Sequence, residues 1–144
     1  MKTFFNRLKP NFLLLTLGIV LFSSMPVMQS CSAKFDQVGL DNITNIGGKL
    51  TDLMSKATEP YGKHESAVTK IMADLTQAAD HSAGQKSNKE VAKSWNVLKN
   101  ELAMPFFDRW KSKGVLSKEV IKESVGQVGK SLDAIKKAEL AKKK

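Results

Sequence analysis

The sequence predicts an all-α protein, a small antiparallel up-and-down four-helix bundle preceded by a cleaved signal peptide. Three observations lead there. Apolar residues recur at helical spacing through four successive segments. No segment alternates apolar and polar residues in the way a half-buried strand does. The longest unbroken apolar run, residues 12–22, lies near the N-terminus and outside that periodicity.

That run follows Lys2, Arg7 and Lys9, with no acid before Asp36. Its eleven residues suit the hydrophobic part of a secretory signal. A membrane-spanning helix needs about 20 apolar residues. Reaching that length would mean extending to Met28 through Ser23, Ser24 and Pro26, with Thr16 already inside the run. A retained anchor and a buried core helix are therefore the alternatives to cleavage. The chain divides into a signal peptide (1–30), a short N-terminal tether (31–34) and the bundle (35–144).

The first helical segment places Phe35, Ile43, Ile46, Leu50, Leu53 and Ala57 on one side, with Val38 and Met54 flanking. Gly47 and Gly48 interrupt it, each weakening a helix by about 1 kcal/mol relative to alanine. The stripe keeps its phase across them, so one helix is expected, with a bend allowed. The second segment uses Val68, Ile71, Met72, Leu75 and Ala79, starts at Thr58 or Pro60, and gives way to a loop at 80–87. The third opens on "SNKE" (87–90), a capping-box pattern, and carries Val91, Trp95, Leu98, Leu102, Phe106 and Trp110. Pro105 should kink or restart it, and Gly114 should end it. The fourth begins near Ser117, and Ile121, Val125, Val128, Leu132 and Ile135 form a narrow seam alternating by four and three.

The only cysteine, Cys31, stands just after the signal, in "VMQSCSAKF". A small residue, Ser30, precedes it. This resembles the lipobox of bacterial lipoproteins, although Met28 and Gln29 occupy positions where that class has Leu and a small residue. The resemblance implies that Cys31 becomes the first mature residue, carries a diacylglyceryl group on its sulfur and anchors the chain to a membrane. It also implies the bacterial cell envelope, with Ser32 favouring the outer membrane. Ordinary cleavage after Ala33 is the alternative, giving a soluble periplasmic product. A lone thiol outside the cytosol is an oxidation liability that acylation removes.

Chemistry is sparse. Loss of Lys2, Arg7 and Lys9 from the 23 basic residues leaves 20 against 14 acids, a net charge of +6 carried almost wholly by lysine. Arg109 is then the single arginine, which argues against nucleic-acid recognition. One cysteine excludes C-x-x-C-H haem attachment. Tyr61 and Ala78 stand three residues before His64 and His81, so neither histidine completes the Glu-x-x-His motif of di-iron bundles. We read His64 as a partly buried edge residue and His81 as a solvated loop residue. No metal and no cofactor are expected, and no nucleophile motif is present.

Two surface features remain. In "MPFFDRW" (104–110), Phe107 lies about 100° off the core stripe. Either Pro105 re-phases the last turns and buries all the aromatics, or Val97, Met104 and Phe107 form an exposed apolar strip for another envelope protein. The C-terminal Lys142, Lys143 and Lys144 are candidates for contact with lipid, because an even number of helices returns the chain to the end that bears Cys31. The function expected is non-catalytic, binding or structural spacing by a lipid-anchored protein. Its rivals are a soluble periplasmic binding protein and, more remotely, an enzyme.

Overall fold

The computed structural model describes residues 34–86 and 88–143. Five α-helices make four rods: α1 (Gln37–Ser55), α2 (Glu65–Gly84), α3 (Lys89–Val97) continued through a π-helical stretch (Leu98–Ala103) into α4 (Met104–Lys113), and α5 (Lys118–Leu140). Among the described residues there is no strand. The rods pack in a ring, α1 against α2 and α5, α3 against α2 and α5, each antiparallel to its neighbours. The fold is an all-α helical bundle. No described helix is long and apolar enough to cross a membrane.

One end, here the cap, holds the α1–α2 and α4–α5 connections. The other, the base, holds the start of α1, the α2–α3 connection and the end of α5. The core runs between them, from Ile43, Leu50 and Met54 on α1 to Val128, Leu132 and Ile135 on α5, with Leu75, Trp95, Leu98 and Trp110 fully enclosed.

The π-helical stretch explains the behaviour of Pro105. In an α-helix a proline ring collides with the carbonyl four residues back, here Glu101, and leaves it without a donor. Widening the turn to i→i+5 accommodates both and inserts one extra residue into the helical phase. One residue is about 100°, the angle by which Phe107 misses the stripe. The buried series therefore passes from Val91, Trp95 and Leu98 to Ala103, Phe106, Phe107 and Trp110.

Two boundaries differ from the sequence expectation. The residues after α1 form two 3-10 turns, Lys56–Thr58 and Tyr61–Lys63, and α2 starts only at Glu65. Residues 80–84, expected as loop, are the last turn of α2, because Ala78, Ala79 and Ser82 are buried and hold the helix against its neighbours. At the start of α5 and the end of α4 the punctuation works as read. Ser117 caps α5 by accepting from the Val120 amide at 3.4 Å. Gly114 ends α4 at φ 76°, a conformation that disfavours any side chain.

Gly47 is required by packing: a Cβ there would lie 2.9 Å from Leu132 Cδ1, so its absence lets α1 and α5 close together. Gly48 faces open space and plays no such part.

Candidate functional site

The chemistry of the molecule is concentrated at the base, where the ends of all four rods converge. Glu139, in the last turn of α5, is completely buried. Its Oε1 accepts from the Asp36 backbone amide at 2.8 Å, so a side chain of α5 satisfies the N-cap residue of α1. Its Oε2 accepts from Lys142 Nζ at 2.5 Å. Lys142 also donates to Oδ1 of Asn88, the buried residue preceding α3. The Asp36 carboxylate meets His81 Nε2, on the last turn of α2, at 2.6 Å.

A buried charge is tolerated only when paired and hydrogen-bonded. Each carboxylate here has both kinds of partner. Burial pushes the Asp36 carboxyl up, but the Gly39 amide, the His81 ring and the Val38 amide outweigh it and hold the group below its ordinary range. Gly39 allows this approach, since a Cβ at that position would lie 2.9 Å from Asp36 Oδ2.

The cap is closed differently. Trp110 is fully buried and donates from Nε1 to the Glu59 carbonyl at 2.9 Å. Tyr61 meets it edge-on at 5.5 Å and His64 lies tilted against it at 5.4 Å. Two backbone bonds lace the connections, Tyr61 N to Gly114 O at 3.0 Å and Leu116 N to Ala57 O at 2.8 Å. His64, at the edge of this cluster, reaches Glu59 Oε2 at 3.1 Å.

The proposed apolar strip does not form. Phe107 is 3 % exposed, turned into the core by the π-helical phase shift, and its ring stands edge-on to Phe106. Val97 is half-buried, which leaves Met104 as the one exposed member of the three. Lys142 is likewise corrected as a lipid contact: its side chain is 10 % exposed and its ammonium is held by Glu139 and Asn88. Lys143 is exposed at the base, its ammonium 5.1 Å from the centre of the Phe35 ring. Cys31, Lys144 and Ser87 of the capping box lie outside the described residues.

Sequence reasoning missed Asp36, His81, Asn88 and Glu139. A signal for Glu139 was available. The α5 seam steps by four and three through Ile135, and the next step of four lands on Glu139. His81 sits half-buried in helix because α2 runs a turn further than its polar sequence suggests.

Elsewhere the described surface carries two shallow grooves. One, of about 430 Å³, lies at the cap between Ser55, Thr58, Lys118, Ile121, Lys122 and Val125. The other, of about 250 Å³, runs along the α1–α5 seam by Gly47, Gly48, Gly129 and Asp133. Among the described residues no three His, Cys, Asp or Glu side chains converge as a metal site would require. No protein-family model, curated protein or solved structure matches this chain.

Proposed function

We propose that this chain is a lipid-anchored helical protein of the bacterial envelope, held by an acyl group on Cys31 and acting without catalysis, by binding or as a spacer. The observation that carries the reading is the placement of the single cysteine, immediately after the small residue Ser30 and separated by eight residues from an apolar run of eleven that follows a basic start. The thiol is the nucleophile that diacylglyceryl transfer at this position needs.

Metabolic labelling with a palmitate analogue tests the reading. Label is expected on the wild-type protein and not on Cys31→Ser, and the wild type is expected in the outer-membrane fraction. An unlabelled wild type released in soluble form would replace this reading with that of a soluble periplasmic protein.

A further inference from the structure

The base of the bundle sorts its charges. Its two structural acids, Asp36 and Glu139, are turned inward and matched by His81 and Lys142. What faces outward over residues 34–38, 81–90 and 137–143 is Lys34, Lys86, Lys89, Lys137 and Lys143, against one exposed acid, Glu90. At the cap, residues 55–65 and 111–119 also expose five lysines, but Glu59, Glu65 and Glu119 lie exposed among them.

The base also exposes apolar groups. Val38 is 54 % and Leu140 is 42 % exposed, on adjacent helices at this same end. Phe35, at the same end, lies half-buried under the Lys143 ammonium. Lysines around apolar side chains are the composition of surfaces that settle at a bilayer interface. Reach agrees: two residues separate Cys31 from Lys34, a span of at most about 11 Å.

From this arrangement we infer that the base is a docking face for an anionic bilayer, its lysines on the headgroups and Val38 and Leu140 at the acyl boundary, so that the bundle stands upright on the membrane. The inference rests on the acylated reading of Cys31 for its place in the cell, but the contact itself requires no acyl chain. Each lysine near an anionic surface contributes about a fivefold factor in affinity. Beneath the face, Lys142 pairs with Glu139, and the Asp36 carboxylate is turned inward onto His81 and not toward the headgroups.

Residues 32–144 contain every buried group and hydrogen bond described above and no cysteine, and circular dichroism would check the fold of each variant. This polypeptide, without lipid, is mixed with phosphatidylcholine vesicles containing or lacking phosphatidylglycerol. It is expected to sediment only with the anionic vesicles and to be released near about 0.5 M salt, where screening shortens to a few ångströms. Replacing Lys34, Lys86, Lys89, Lys137 and Lys143 by Gln should weaken binding by on the order of a hundredfold or more. Replacing Lys56, Lys63, Lys111, Lys113 and Lys118 by Gln removes the same net charge from the cap and should weaken it far less. An environment-sensitive dye on Val38→Cys should shift to the blue on binding, and the same dye on Val115→Cys, exposed at the cap, should not. Absence of vesicle binding, equal losses from the two lysine sets, or a shift at residue 115 instead of 38 would overturn the inference. These outcomes are independent of palmitate labelling, so the anchor and the docking face fail separately.

Discussion

The two ends of this bundle solve the same problem by opposite means. Each must close four rods and satisfy the free backbone groups of their termini. The cap does so with rings and backbone: Trp110 enclosed by Tyr61, His64 and Phe107, and the two connections laced through Gly114 and Ala57. The base does so with ions, Glu139 and Lys142 crossing to Asp36 and Asn88. Rings bury area and gain from it in any arrangement that excludes water. A buried ion pair gains little over apolar groups but tolerates few alternative arrangements. The cap is therefore the stronger closure and the base the more specific one, and the base is the end at which the described chain begins.

The largest expected effect lies at the cap. Trp110→Ala removes the ring that Tyr61, His64, Phe106 and Phe107 all touch, and should cost about 3–5 kcal/mol in denaturant unfolding. At the base, Lys142→Met leaves the Glu139 carboxylate buried without its cation, at a cost of about 3 kcal/mol. The contrast is sharpened by the double variant Glu139→Leu with Lys142→Met. Removing both charges should recover at least half of that loss, whereas no second substitution restores Trp110. A double variant as unstable as Lys142→Met alone would mean that the base is held by something other than this pair.

The difference between the ends also decides what the sequence reveals. Apolar periodicity reports burial, so Phe106 and Trp110 at the cap, the four rods and the α5 seam were readable. The arrangement at Phe107 was readable only as two alternatives, since the π-helical phase shift comes from Pro105 acting on a turn whose width the sequence leaves open. The base was not readable. Asp36, His81, Asn88 and Glu139 are polar, and polar residues near helix ends look like solvated termini until the rods are brought together. Each finds its partner across a gap in sequence, 103 residues for Asp36 and Glu139 and 45 for Asp36 and His81. The expectation that Lys142 faces lipid failed for this reason: the topology that returns it to the base also sets it beside a carboxylate that the seam has buried.

Each end has a glycine that its geometry needs, and the two are needed for different reasons. Gly114 at the cap has positive φ, so Gly114→Ala should cost about 1–2 kcal/mol whatever room surrounds it. Gly39 at the base has an ordinary helical backbone but carries Asp36 Oδ2 where its Cβ would go. Gly39→Ala should therefore cost about 1 kcal/mol, mostly by pushing the carboxylate off His81. Combining Gly39→Ala with Asp36→Asn should then be close to additive-free, the second change removing a contact already lost. Full additivity in the double variant would show that the glycine serves the helix and not the carboxylate.

The smallest expected effect is the response to acid, and it separates the ends by sign alone. The Asp36 carboxyl is held below its ordinary range in the folded protein. Its unfolded value is about 3.9, so the folded state binds fewer protons than the unfolded state in the region below that. The contribution is fully present above about pH 4 and is lost as the pH falls through the lower folded value. Titrating the wild type from pH 5 downward should give a stability loss that Asp36→Asn, which cannot ionise there, shows to a smaller degree. The Trp110→Ala protein should lose stability with acid as the wild type does, because its deletion lies at the cap. If Trp110→Ala flattened the acid response and Asp36→Asn left it unchanged, the assignment of acid sensitivity to the base would be wrong.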